Sequence, residues 1–250
     1  LEMETPYGPV TAEPNILLSG ADTKPVDWVL VATKTYDSAA ASQWFPALLG
    51  DATRVAVLQN GVDHVERFSH FLPADRILPV IVDCPTERKA PGRIAQRGPA
   101  TMAVPRSDAG AAFCELFKNT RIEASQDPHF REAAWRKLCI NAAGVVNALT
   151  GKPAGVVRDE HAAGLMRRIV DETVAVAREE GVDLPDGMAD DVIEIYRGQP
   201  ADSVNSLLAD RQAGRPMEVD IRNGVIVRLG AKHGVATPFN EMAVALLKIG

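Results

Sequence analysis

The sequence predicts an α/β chain in two parts, a largely parallel sheet with helices over residues 1–125 and an all-helical stretch over residues 126–250. Two observations carry this. In the first half, short β-rich apolar runs alternate with helical stretches, the rhythm of strands linked through crossover helices. After Ser125 the strand-like runs stop and long windows of helical spacing take over.

Residues 28–32 read as a buried strand, 55–58 as a second, 77–82 as a third and 121–124 as a later one, with helices expected over 37–49 and 62–72. The run Gly92-Arg93-Ile94-Ala95-Gln96-Arg97-Gly98 is bounded by glycines and reads as a hairpin strand. In the second half Leu165, Met166, Ile169, Val170, Thr173, Val174 and Ala177 recur every three or four residues, which makes one apolar helix face belonging to the core, stopped at Gly181. Ile221, Val225 and Leu229 repeat every fourth residue, with His233 and Gly234 as last turn and stop. Asn223-Gly224 alone would argue for a hairpin turn, but no alternating strands flank it, so a helix is expected there.

At 250 residues and 46% hydrophobic the chain can build one large core or two modest ones. A net charge of -6 with no Lys/Arg run excludes a nucleic-acid arm or a membrane-binding basic patch. Cys84, Cys114 and Cys139 are odd in number, far apart and without a CxxC pair, which argues against a disulfide framework or a zinc site and fits a reducing cytoplasm. There is no HExxH, no apolar run of the roughly 18 residues a spanning helix needs, and no pattern of a secretory leader at the start.

Four places could carry chemistry. Lys34 directly follows an apolar run, which would set its ammonium at the carboxyl end of a parallel strand, where open α/β sheets bind ligands; a solvated loop lysine is the alternative. Gln59-Asn60-Gly61 holds the same place after the next run and could equally be a plain strand-to-helix turn. Lys137 and Asn141 lie four apart on one helix face among Leu138, Cys139 and Ile140, so the lysine is either functional or snorkelling to water. Ser206 and Asp210 repeat the four-residue spacing and Glu218 and Asp220 follow Gly214-Arg215-Pro216; an exposed amphipathic helix with a capped turn would also give that pattern.

Taken in order, Ser206-Leu207-Leu208-Ala209-Asp210, Gly214-Arg215-Pro216-Met217-Glu218-Val219-Asp220, Asn223-Gly224 and His233-Gly234-Val235-Ala236-Thr237-Pro238-Phe239-Asn240 resemble the ketopantoate reductase family. Upstream, Val31-Ala32-Thr33-Lys34, Leu58-Gln59-Asn60-Gly61-Val62, Pro91-Gly92-Arg93-Ile94 and Trp135-Arg136-Lys137-Leu138-Cys139-Ile140-Asn141 look like further signatures of it, so the resemblance spans nearly the whole chain. It implies a Rossmann-like NADP-binding domain followed by an all-helical domain, and the NADPH-dependent reduction of 2-dehydropantoate in pantothenate and coenzyme A biosynthesis. By the same resemblance Lys137 is the catalytic lysine and Glu218 its acidic partner. Asn141, Ser206 and Asn60 contact substrate, Lys34 and Asn60 contact the cofactor, and Asp210 supports them. The implied partner is a small 2-keto acid in the cytoplasm, with a homodimer left open.

A complete member would begin with a strand and GxGxxG, followed about 20 residues later by the position that separates NAD from NADP. This sequence begins Leu1-Glu2-Met3-Glu4-Thr5-Pro6-Tyr7-Gly8, which looks like the family's segment after its second strand, so the first βαβ portion is expected to be missing. Ser203 stands where some members carry a substrate-binding asparagine, and Asn147 is displaced from another such position. Three readings therefore compete: the reductase or a paralogue for another branched 2-keto acid, a non-catalytic remnant kept as a binding or assembly module, and a dehydrogenase or imine reductase of similar architecture.

Overall fold

The computed structural model describes residues 1–249, and of Asp22 the backbone alone. The chain divides into two compact units, Leu1–Asn60 with His64–Phe130, and Gly61–Asp63 with the chain from Arg131 onward.

The first unit holds the strands. It begins with β1 (Glu2–Thr5), β2 (Gly8–Thr11) and β3 (Val26–Val31), then two short helices, α1 (Ser38–Ser42) and α2 (Phe45–Leu48), then β4 (Leu49–Val57) and α3 (His64–Phe68). It continues through β5 (Ile77–Pro79), β6 (Ile81–Asp83), β7 (Thr86–Ala90), β8 (Arg93–Gln96), β9 (Ala100–Pro105), α4 (Asp108–Glu115) and β10 (Ile122–Asp127). Strands β3, β4 and β5 pair in parallel, with β3 at the edge of the trio. In the neighbouring trio β10 runs parallel to β9 and β6 antiparallel to it.

The expected third strand, 77–82, is split at Val80 into β5, which pairs with β4, and β6, which pairs with β9. Val80 N–H still donates to Val57 O at 3.0 Å. Along β4 the side chains alternate between two buried clusters: Val55 and Val57 pack with Val31, Phe68 and Ile77, while Ala56 packs with Leu78, Met102 and Phe113. Burial on both faces is why residues 55–58 read as an unbroken apolar run.

Three features of this unit depart from the sequence reading. The helix expected over 37–49 is two short pieces, since Pro46 in the first turn of α2 opens a new helix. The helix expected over 62–72 is only α3, beyond which Ser69 Oγ donates to Glu66 O at 2.9 Å and competes with the backbone ladder. A separate sheet of order β2-β1-β8-β7 is also present. Its strands are mostly exposed, so β1, β2 and β7 carry little apolar signal, while β8 lies inside the glycine-bounded run read as a strand.

The second unit is helical: α5 (Phe130–Ala143), α6 (Val145–Thr150), α7 (Glu160–Glu179), α8 (Met188–Gly198), α9 (Ser206–Gln212), α10 (Val225–His233) and α11 (Pro238–Ile249). Helix α7 is its axis. Asp159 caps it by accepting from His161 N at 2.9 Å and Ala162 N at 3.1 Å, and Gly181, at φ +74°, takes the left-handed conformation just beyond its end. Of the face read from the spacing, Met166, Ile169, Val170, Thr173, Val174 and Ala177 are buried and Leu165 packs at the margin. Burying each large aliphatic side chain there contributes about 1.5–3 kcal/mol.

Residues 220–224 are helical, as the spacing of Ile221, Val225 and Leu229 predicts, but as one turn of π-helix. Gly224 N–H donates to Val219 O at 3.1 Å, and a Cβ on Gly224 would lie 2.8 Å from Asp220 Oδ1. The glycine of Asn223-Gly224 thus gives room for a carboxylate inside a widened turn instead of making a hairpin. Among the described residues no helix is long and apolar enough to cross a membrane.

Candidate active site

In the first unit the site residues follow from parallel pairing. With β3 and β4 in parallel register, the loops after Val31 and Val57 leave the same edge of the sheet, so Lys34 and Asn60 both stand at carboxyl ends of strands. Both are half-buried. The buried amide of Gln59 joins the two loops: Nε2 donates to Thr33 O at 3.1 Å, Lys34 O at 3.4 Å and Ser38 Oγ at 3.0 Å. Its Oε1 accepts from Arg67 Nη1 at 2.8 Å, and its own carbonyl bonds His64 Nε2 at 2.7 Å. Asn60 is followed by Gly61 at φ +110°, a left-handed backbone conformation that side chains resist. Cross-linked loops with amide and ammonium groups at this edge suit a phosphorylated or nucleotide ligand.

In the second unit Lys137 and Asn141 lie one turn apart on α5, both half-buried, beside fully buried Leu138 and Cys139. Burial pushes the Cys139 thiol up to about 12, so it stays protonated and inert as a nucleophile. The last turn of a helix leaves carbonyls without intrahelical donors. Here two are taken by side chains from elsewhere, Asn141 O by Arg222 Nη1 at 3.4 Å and Ala142 O by Asn223 Nδ2 at 3.2 Å, while Ile140 O, which already accepts from Gly144 N at 3.2 Å, also accepts from Tyr196 Oη at 3.0 Å. Asn205 Nδ2 donates to Gly144 O at 2.9 Å, and its Oδ1 caps α9 by accepting from Leu208 N at 2.9 Å.

Ser206 is exposed in the first turn of α9, and its Oγ accepts from Arg222 Nη2 at 2.7 Å. Arg222 therefore joins two of the residues singled out from the sequence, Asn141 and Ser206, through one guanidinium. Glu218 is 6% exposed and lies two residues before the π-turn. Asp210, equally buried, accepts from Arg215 Nε at 2.9 Å, a role in holding the turn after α9. Asn147 is buried and serves structure, donating to Lys152 O and accepting from Asn205. Ser203 hydrogen-bonds through its backbone to Ala154 and Pro200.

Sequence reasoning missed Tyr196, Asn205 and Arg222, and noted Asn223 only as part of the Asn223-Gly224 signature. For Arg222 a signal existed: Val219, Arg222 and Ile226 fall on one helical row whose other members are buried and apolar. The others are single polar residues in segments without pattern. Among the described residues no group of three or more His, Cys, Asp or Glu could hold a metal ion. The second unit offers an ammonium, a carboxylate, an amide and a hydroxyl, the functional groups needed to hold a small oxo acid and protonate its oxygen.

Comparison with known proteins agrees over the whole length. The profile "Ketopantoate reductase PanE/ApbA" matches residues 2–109 and "Ketopantoate reductase PanE/ApbA C terminal" matches residues 129–249. The chain is 54% identical to the 2-dehydropantoate 2-reductase of Caulobacter vibrioides over 99% of its own length and 85% of that protein's. It is 40% identical to the enzyme of that name from Mycobacterium tuberculosis, over 96% of this chain and 80% of the other. Among solved structures, a PanE/ApbA family ketopantoate reductase from Ralstonia eutropha superposes with a TM-score of 0.89 at 29% identity, covering 100% of this chain and 84% of that one. A D-mandelate dehydrogenase with NADH and anilino(oxo)acetate bound shares the fold, with a TM-score of 0.88 at 22% identity. With both halves matched and a relative more than half identical along its length, the chain belongs to the ketopantoate reductase family.

Proposed function

We propose that the protein reduces ketopantoate to pantoate with NADPH, a step toward pantothenate and coenzyme A. The observation that carries this reading is the 54% identity to a 2-dehydropantoate 2-reductase along almost the entire chain. The grouping of Lys137, Asn141 and Ser206 around the end of α5 supports it.

NADPH, when bound, supplies the hydride. Lys34 and Asn60, on the two loops that Gln59 links, are the residues of this chain proposed to hold it, and the cleft edge they share fits that role. The protein contributes placement and charge stabilisation. As C2 of the keto acid becomes tetrahedral, negative charge grows on its oxygen; the Lys137 ammonium neutralises that charge and donates the proton. Glu218 steadies the ammonium or accepts from the new hydroxyl. Asn141, Ser206 and Asn60 orient the substrate, so that little rotational freedom is lost at the barrier.

The reading places the protein in the cytoplasm. We further propose a homodimer, the state named for the Staphylococcus aureus ketopantoate reductase among the structural neighbours. Light scattering of the purified protein tests the dimer.

The test of function is NADPH absorbance followed on adding ketopantoate to the purified protein, with ketoisovalerate and phenylglyoxylate in parallel. Rapid oxidation with ketopantoate is the expected result. Preference for another acid makes the protein a paralogous 2-keto acid reductase, and no oxidation with any acid by a folded, NADPH-binding protein makes it a retired enzyme.

A further inference from the structure

We propose that Arg222 is a positioning residue that biases the Ser206 hydroxyl toward donating to the substrate and fixes its place relative to Asn141. The proposal rests on the reading above that Ser206 contacts the keto acid.

The argument begins with valence. A serine hydroxyl has one proton to give and two lone pairs to receive with. Arg222 Nη2 fills a lone pair of Ser206 Oγ at 2.7 Å, and an arginine side chain has nothing but protons to offer. Among the described residues the Ser206 proton has no acceptor, and the residue is exposed, so that proton is left pointing away from the arginine into open space. A charged donor behind a hydroxyl also polarises it, which makes the outward O–H a stronger donor. The group that matches such a donor is an acceptor without protons: the carboxylate or the carbonyl oxygen of a 2-keto acid.

The second part of the argument concerns cost. Arg222 is 3% exposed and its Nε has no hydrogen-bond partner among the described residues. Burying a guanidinium with an unpaired nitrogen costs desolvation that the nearby buried carboxylates of Glu218 and Asp210 offset in part, so removing Arg222 alone leaves those carboxylates less compensated. Its neighbours on the helical row, Val219 and Ile226, are the residues a purely structural design would use. Arg222 also bonds Asn141 O near the end of α5, where a cation suits the helix dipole, so a capping role is the rival explanation. A cap serves stability whichever residue occupies 206, whereas a positioning residue acts only through the serine hydroxyl. That difference decides the experiment.

KM and kcat for ketopantoate are measured for wild type, Ser206→Ala, Arg222→Met and the double variant, with thermal unfolding of each. We expect Arg222→Met and Ser206→Ala each to raise KM by about tenfold, with a smaller change in kcat, and the double variant to be no worse than Ser206→Ala alone. Unfolding of Arg222→Met should come earlier, since one partner of a buried charge cluster is removed, so the KM cycle and not the unfolding temperature decides between the two roles. A KM rise of the same size from Arg222→Met in the Ser206→Ala background overturns the proposal in favour of a cap, and so does an unchanged KM in the wild-type background. If Arg222→Met does not fold, Arg222→Lys in the same two backgrounds carries the cycle: near wild-type KM, or a rise confined to the Ser206 background, supports positioning, and a rise in both overturns it. Wild-type KM for Ser206→Ala would instead remove Ser206 from the substrate site, and no turnover by wild type would remove the functional reading itself.

Discussion

Lys137 is the residue on which the proposed chemistry turns, and its surroundings suggest how much it is worth. It sits half-buried on α5 beside buried Leu138 and Cys139, where water screens a charge less than in bulk. Lys137→Ala should lower kcat by on the order of 10²–10³, the loss typical of one missing electrostatic donor, without changing thermal stability much. Near-normal turnover would take Lys137 out of the mechanism. A different pair illustrates charge used for stability. Glu180 accepts from His233 Nε2 at 2.5 Å and Lys232 Nζ at 2.9 Å, and these bonds, the histidine's first, hold its carboxyl below the usual value. A carboxyl whose folded pKa is depressed contributes stability above its unfolded pKa and loses it as pH falls through the folded one. Denaturant unfolding between about pH 6 and pH 3 should therefore show a steeper loss for wild type than for Glu180→Gln; parallel curves would mean that the cluster contributes nothing. Polar residues of this kind were legible only where a neighbouring pattern framed them. Lys137 and Asn141 stood out by their spacing on an apolar helix, and Glu218 and Ser206 by resemblance. Tyr196 and Asn205 have no such frame, because what defines them is a hydrogen bond to Ile140 and to Gly144, 56 and 61 residues away.

At the scale of elements, the junction of α5 and α6 is the place where packing leaves least room. A Cβ on Gly144 would meet Tyr196 Oη at 2.5 Å and Asn205 Nδ2 at 2.8 Å, the first of which holds Ile140 O of α5 and the second Gly144 O at the junction itself. Gly144→Ala should cost about 1–3 kcal/mol of stability through overpacking and raise KM for the keto acid, since the polar grip on α5 must shift. A variant as stable as wild type with unaltered KM would show that the junction yields freely. Helix α7 was legible from sequence because its apolar residues repeat from Leu165 to Ala177 and Gly181 marks its stop, whereas its cap, Asp159, shows only in the structure. The stretch from residue 37 to 49 was not. Its composition suits a helix, and a single proline with local side-chain bonds divided it; periodicity does not register such breaks. The π-turn was half legible: spacing identified a helix, but the extra residue per turn becomes visible only through its hydrogen bonds.

At the scale of the molecule, alternation of strand and helix followed by helices alone was enough to anticipate an α/β unit and a helical one. The largely exposed sheet β2-β1-β8-β7 escaped because a strand that buries little writes little into its sequence. The helical unit also reclaims three residues from far upstream, Gly61–Asp63, which no periodicity announces. Val62 packs on its core, and Asp63 Oδ2 pairs with Arg228 Nη2 at 3.2 Å, 165 residues later. The helical unit is therefore not one uninterrupted stretch of sequence: a piece cut at residue 131 would lack Val62 and leave Arg228 without that carboxylate.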